Sequence, residues 1–371
     1  MLLHKSVVHD SRVRREAKAL ALAGHEVTVV HLGPVTVPAD VSAEGYRVMS
    51  AVPRRLGRRH LPGGLHRMAL IRRFVGAIRS VRPDVVHAHD AAMLAPGWVG
   101  SRLVRARLVY DAHELATGVA YHGKAWARAV WALESLVVPK CVTVITVSEG
   151  IAERLQALYR LGRRPAVVRN VPDLPPPNGH PGLRERLNIG DAPLIIHQGA
   201  AAPGRGCGIL IEALTQLPDA HLLFLGDPDP GYSDRLFAMA AGVGVAERVH
   251  MHGSVPLARL LSYTAEADVG VSLLEATCDN HLLALPNKVF EYMAAGVPVV
   301  ASDFGELRRE LAGRADVRLV DPHAAGQVAD ALAELVALGP SAGDRPAPIR
   351  TFAEEAAVLL AEYAALDASL G

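Results

Sequence analysis

The residues that first invite a chemical reading are those of HQGAAAPGRGCGILIEAL (197–214), where an apolar run enters a Gly-rich loop and then a helical pattern. A strand, loop and helix in this order leave backbone N–H groups and the positive helix end facing the end of a sheet, which suits phosphate. Gly204 and Gly206 flank Arg205, whose guanidinium would add a charge-assisted contact of about 1.5 to 3 kcal/mol. The pattern is neither Gly-x-Gly-x-x-Gly nor a P-loop, so a Gly-rich turn with a surface arginine also fits it. In LPNKVFEYMAAGVPVVASDFGEL (285–307), Pro286 or Asn287 opens a helix, Lys288 follows, and Glu291 falls one turn in. A carboxylate there can accept two hydrogen bonds from the adjacent hydroxyls of a ribose. It can equally be an exposed acid favouring a helix N-terminus.

Histidines form the next group. His87 and His89 stand two apart at a strand end, on one face, followed by Asp90, and His113 and Glu114 follow the next strand. Such positions point into the ligand crevice of open α/β sheets, although histidines satisfied within the structure fit as well. His-x-His-Asp can ligate a metal, but the remainder of a metallohydrolase His/Asp set is absent, and no metal is expected. Finally, no acidic residue occurs between Glu44 and Asp84, whereas Arg47, Arg54, Arg55, Arg58, Arg59, Arg67, Arg72, Arg73, Arg79 and Arg82 do. Met68, Ile71, Phe74, Val75 and Ile78 fall on one helical stripe of this stretch. That stripe either packs on a sheet or lies on anionic lipid. Nucleic acid is not expected, since no aromatics interleave with the arginines.

Two series of β-branched runs separated by helical patterns must position these residues. The first comprises 27–32, 46–51, 84–89, 107–112, 141–148 and 166–171, and the second 193–199, 221–227, 249–253, 268–274, 297–303 and 317–320. Such runs read as buried parallel strands. VPDLPPPNGHPG (171–182) has five prolines and two glycines, so it reads as a linker. The expected organisation is a Rossmann-like domain over 1–172, a second over 173–345, and a closing helix over 346–371 that crosses back to the first. The fold class is therefore α/β, with two Rossmann-like domains facing a cleft between the carboxyl ends of both sheets.

Composition agrees with two soluble domains. The chain has 371 residues, half of them apolar and 21% charged, enough to bury about three-quarters of the unfolded surface. The longest uncharged runs, 27–39 and 192–204, are broken by Gly and Pro, too short for a membrane span. The start is too charged for a signal peptide, so a cytoplasmic protein is expected. Cys141, Cys207 and Cys278 are scattered, which argues against disulfides and zinc knuckles. The net charge of +1 hides a division: 26 basic and 12 acidic residues up to Pro172, hence +14, leave 13 and 26, hence −13, for the rest.

Taken in order, DSRVRREAKALALAGHEVTVV, PDVVHAHD, LVYDAHEL, VITVSEGIAERL, VVRNVPD, QGAAAPGRG, EADVGVSLL, LPNKVFEYMAAGVPVVASD and LLAEYAAL resemble the retaining GT-B glycosyltransferases of family 4, the "group 1" family. The resemblance implies a C-terminal domain that holds a nucleotide-diphosphate sugar and an N-terminal domain that binds the acceptor. It implies Glu291 at the ribose and Arg205 at the diphosphate, with Gly204, Gly206, Asn287 and Lys288 beside them. It further implies His113 near the donor sugar and His89, Asp90 and Glu114 on the acceptor side. Transfer would retain anomeric configuration without a bound metal or cofactor. Leu283 stands where the family commonly has a second Glu, and Ala200 where it commonly has Arg. A nucleotide-sugar epimerase of similar architecture and a nucleotide-sugar-binding protein without turnover remain alternatives. The Arg-rich segment 47–82 points to an anionic or lipid-linked acceptor and to contact with the inner membrane face.

Overall fold

The computed structural model describes residues 1–34, 36–37, 43–52, 63–119, 123–173, 179, 181–229, 231–339 and 350–368, with side chains for all but 63–66. The chain divides into two compact units, Met1–Arg169 with Ala353–Gly371, and Asn170–Phe352.

In the first unit the order is β1 (Leu2–Leu3), α1 (Ser11–Leu22), β2 (Thr28–His31), β3 (Arg47–Ser50), α2 (Gly63–Val81), β4 (Val85–His89), α3 (Asp90–Val104), β5 (Arg107–Ala112), α4 (Lys124–Val137), β6 (Thr143–Thr146), α5 (Glu149–Tyr159) and β7 (Ala166–Val167). The strands form one parallel sheet in the order β3-β2-β1-β4-β5-β6-β7. Strand β1 is the element the sequence patterns miss. It has two residues before His4 and Lys5, too few for periodicity, yet it is central because β2 and β4 pair on its two sides. Helix α1 starts where the Asp10 side chain accepts from Val13 N–H, and α5 where Ser148 accepts from Ile151 N–H, both satisfying first-turn donors. The residue that closes α5 is Arg160, in the left-handed conformation.

Helix α2 answers one sequence expectation. Phe74 and Ile78 are buried, Ile71 and Val75 half-buried, and Met68 exposed. A Cβ on Gly100 of α3 would lie 2.2 Å from Ile78 Cδ1, so the Phe74 and Ile78 end of the stripe packs within the unit, against α3 at Ile78, while Met68 stays exposed. Arg72 and Arg79 face out. Arg54, Arg55, Arg58 and Arg59 lie outside the described residues, as do 174–178 and 180 of the linker.

The second unit runs α6 (Leu183–Leu187), β8 (Leu194–Gln198), α7 (Cys207–Leu214), β9 (His221–Leu225), α8 (Tyr232–Gly242), β10 (Val249–His252), α9 (Leu257–Thr264), β11 (Val269–Ser272), α10 (Asp279–Leu283), α11 (Asn287–Ala294), β12 (Val299–Ser302), α12 (Gly305–Leu311), β13 (Val317–Val320) and α13 (Ala325–Ala337). Its parallel sheet has the order β10-β9-β8-β11-β12-β13. Alternate residues serve opposite faces, as strand geometry requires. Ile195, Leu222, Phe224, Val269, Val271 and Val300 join one core, while Leu194, Ile196, Leu223, Leu225, Val299 and Ala301 join the other. Both sheets thus follow the doubly wound order, with a reversal between β1 and β4 and again between β8 and β11, where ligands of such sheets bind.

The last helix, α14 (Phe352–Asp367), belongs to the first unit. Leu359, Tyr363 and Leu366 join the core of Leu3, Val13, Val29 and Val109. Glu355 accepts from Arg169 N–H at 2.6 Å, and Glu362 from the Thr143 hydroxyl at 3.1 Å.

Candidate functional site

At the reversal point of the second sheet, β8 ends in Gln198 and the chain turns through Gly199–Gly206 into α7. Gly206 has φ of 66°, and a Cβ there would meet Leu273 Cβ at 2.4 Å and the Leu273 carbonyl oxygen at 3.0 Å. The loop from β8 and the loop from β11 therefore meet backbone to side chain, a contact only glycine permits. Glu275 of the second loop accepts from the Gly206 N–H at 3.3 Å and donates its own N–H to the Gly204 carbonyl at 3.0 Å. This corrects the reading of the Gly206 N–H as a free donor, since a carboxylate of the chain itself already caps it. Arg205 is half-buried, and among the described residues its guanidinium has no ion-pair partner. Its Nη1 lies 3.8 Å from where a Cβ on Gly199 would be, so it folds over the end of β8.

Helix α11 brings Lys288 and Glu291 to the same place. The Tyr292 ring fills the space above Gly270, where a Cβ would approach it to 2.4 Å. The Tyr292 hydroxyl accepts from Gln198 N–H at 2.8 Å and lies 3.1 Å from the Val271 carbonyl oxygen. One residue earlier, Glu291 accepts from the Gln198 side-chain amide at 2.6 Å, and Gln198 in turn accepts from the Thr264 hydroxyl at 2.7 Å. Lys288 Nζ lies 3.3 Å from Nε2 of the fully buried His197. Burial, then the Arg205 charge, pulls the Lys288 amine down to about 7. Asn287 is exposed at the first helical position, after Pro286. Sequence reasoning missed His197, Gln198, Glu275 and Tyr292. His197 and Gln198 look like ordinary strand residues, and only the strand order places them at a reversal.

The first unit builds a second cluster at its own reversal point. Arg12, 3% exposed, donates to both oxygens of Asp111 at 2.8 Å and to the Val168 carbonyl at 2.5 Å, and lies 3.0 Å from Glu16. His113 Nε2 is 3.1 Å from Asp111, its Nδ1 is 3.4 Å from Asp90, and its N–H donates to Asp90 at 3.2 Å. Burial opposes the charge on His113, but Asp90 and Asp111 outweigh it and raise its pKa to about 9, so the ring is an imidazolium at neutral pH. Asp111 is buried too, yet Arg12 and His113 hold it well below the usual carboxylate range. Burial raises Glu16 to about 8. Asp90 takes a left-handed φ of 63° at the start of α3, and half-buried Glu114 lies in the field of Lys5.

His89 requires a correction. It is not at the surface of the free protein but fully buried, with Nδ1 3.1 Å from both Asp111 and His113, where it orients those groups. His87, stacked on it at 4.3 Å, is also interior and meets the Tyr363 hydroxyl at 2.9 Å. Glu16, His87, His89 and Asp111 converge within 4.8 Å. The Arg12 cation already bonds Asp111 through both its oxygens and lies 3.0 Å from Glu16, so the group is better suited to an internal ion pair than to holding a second cation. Arg12, Glu16 and Asp111 went unremarked in the sequence. Only the YDAHE run at the end of β5, with Asp111 two residues before His113, hinted at one of them.

Comparison with known proteins adds the family. The Glycosyl transferase 4-like domain model matches residues 10–172, and the Glycosyl transferases group 1 model residues 192–337. A D-inositol 3-phosphate glycosyltransferase of Xylanimonas cellulosilytica is 30% identical over 271 residues, which are 68% of this chain but only 64% of that relative. Sucrose-phosphate synthase of Thermosynechococcus elongatus has a similar fold, with 20% identity, a TM-score of 0.77 and 99% of each chain covered. Anabaena HepE in complex with UDP and glucose has 18% identity and a TM-score of 0.72, covering 100% of this chain and 98% of that one. Among the described residues no helix is long and apolar enough to cross a membrane. With two doubly wound units and both family models matched in order along the chain, this protein belongs to the group 1 glycosyltransferases of GT-B fold.

Proposed function

We propose that the chain transfers a sugar from a nucleotide-diphosphate donor to an acceptor hydroxyl with retention of configuration, the second unit holding the donor and the first the acceptor. The observation that carries this reading is Arg205, without an ion-pair partner among the described residues, beside Lys288 at the reversal point of the second sheet, with Glu291 one turn along α11. Glu291 would take the ribose hydroxyls, and Arg205, Lys288 and the first-turn N–H groups of α7 the diphosphate. When the glycosyl bond breaks, negative charge grows on the β-phosphate, and cations already in place lower the barrier there. The departing phosphate oxygen would then accept the acceptor's hydroxyl proton on the same face, which retains configuration.

The acceptor is proposed to be anionic. The first part of the chain carries +14 against −13 for the rest, so the donor does not account for its arginines. The relative named for D-inositol 3-phosphate has a phosphorylated compound in its name. Incubation with UDP-, GDP- and ADP-sugars, with and without phosphorylated and neutral polyols, tests both points. Free nucleoside diphosphate formed only with a phosphorylated acceptor, and an α-linked product from an α-donor by NMR, are the expected results. Donor isomerised without acceptor would favour an epimerase, and binding without turnover a binding protein.

A further inference from the structure

In the second half of the chain every basic side chain except Lys288 is an arginine or a histidine. That lysine sits in an unusual setting. Its amine faces Nε2 of His197 from β8 at 3.3 Å, Arg205 from the β8–α7 loop, Cys207 from α7 and Glu291 from its own helix. His197 is fully buried against Phe224, with ring centroids 5.5 Å apart, so it cannot swing away to be replaced by water. The only carboxylate among these groups, Glu291, is held by the Gln198 amide. An ammonium at Lys288 therefore meets a guanidinium and a neutral ring, with Glu291 as the one opposing carboxylate among these groups.

We infer that Lys288 is uncharged in a large share of free molecules and takes up one proton when a diphosphate group enters the Gly199–Gly206 loop. The proton comes from solvent, adds to the amine lone pair to give an ammonium, and leaves again with the product nucleotide. The inference rests on the donor-site reading above and deepens it. Arg205 supplies a permanent charge, while Lys288 supplies one that appears only with the anion. In the free protein the two cations therefore do not repel each other at full strength. His197 acts as a positioning residue, holding the amine where the β8–α7 loop can present an anion to it. The lowering of the amine to about 7 agrees with this geometry.

Calorimetric titration of the full chain with UDP, GDP and ADP, in buffers of different ionisation enthalpy, tests the linkage. At pH 8 an amine with a pKa of about 7 is about nine-tenths deprotonated, so binding should take up about 0.9 proton. The nucleotide's own phosphate is by then fully ionised. Between pH 7.5 and 9 the affinity should fall about 20-fold. His113 titrates in part of this range, in the other unit, so the decisive comparison is with Lys288→Arg. That variant keeps a charge that cannot be lost, and it should bind with no proton uptake and a flat pH profile. Lys288→Met should bind weakly, also without uptake, and His197→Gln should shift the midpoint of the wild-type profile upward. Wild-type binding without proton exchange, or coincident profiles for wild type and Lys288→Arg, would overturn the linkage alone. Failure of every nucleotide to bind at any pH would overturn the donor-site reading and this inference with it.

Discussion

The two units carry charged groups at the same point of the same topology and treat them in opposite ways. In the first, Arg12 is paired with Asp111 and Glu16, His113 with Asp111 and Asp90, and Lys5 with Asp10. In the second, Arg205 has no partner among the described residues, and Lys288 faces a buried histidine. A network that is already neutralised holds a shape, because removing any member leaves a buried charge behind. Cations kept without carboxylates are prepared for a ligand that brings its own negative charge. The first cluster is thus the more costly to damage, and the second the more responsive to a substrate.

The largest effect should follow from breaking the first network. Asp111→Asn leaves the buried Arg12 without its bidentate partner, and loss of one member of such a pair costs about 3 to 5 kcal/mol. Hydrogen exchange of the α1 and β5 amides under denaturant should report the loss; protection unchanged within 1 kcal/mol would mean the network is not cooperative.

The same cluster makes a pH-dependent contribution. His113 has a pKa raised from 6.5 to about 9, so it contributes up to about 3 kcal/mol. That stability is fully present below pH 6.5 and is lost as pH rises through 9. His113→Gln should remove this part of the stability profile. A variant whose stability between pH 6.5 and 9 parallels the wild type would show that His113 is not held as an imidazolium.

Damage to the second cluster should spare stability and change binding. Glu291→Gln should weaken nucleoside diphosphate affinity by about 1.5 to 3 kcal/mol, since one neutral acceptor oxygen replaces two charged ones. Calorimetry with unchanged affinity would remove Glu291 from the site. The smallest effect is expected at Glu275, which caps the Gly206 N–H at 3.3 Å. Glu275→Ala should free that donor and tighten nucleotide binding by about 0.5 to 1 kcal/mol, and weaker binding would mean that Glu275 organises the loop.

The contrast between the units also explains what the sequence disclosed. β5 and β13 were legible to the residue, because each is a short, mostly apolar run set between helical patterns. Strand β1 was not, since two residues carry no period. Arg205 and Glu291 stood out because glycine punctuation and a helix start bracket them. Arg12 and Asp111 are 99 positions apart, and nothing local marks either as one half of a buried pair. His89 was read as facing a ligand because its strand-end position allows that; packing against His87, Asp111 and His113 decided otherwise. Local chemistry shows where a loop or cap must be, whereas ion pairs closed by topology become visible only after the sheet order is known.

The central claim is that the second unit's open cations serve the departing phosphate. Turnover and nucleotide affinity measured together for Arg205→Ala test it most directly. Charge on the leaving group is greatest in the transition state, so kcat should fall by more than the affinity for free nucleoside diphosphate does. Equal losses would reduce Arg205 to a binding contact. No change in either quantity would contradict the assignment of the phosphate site itself.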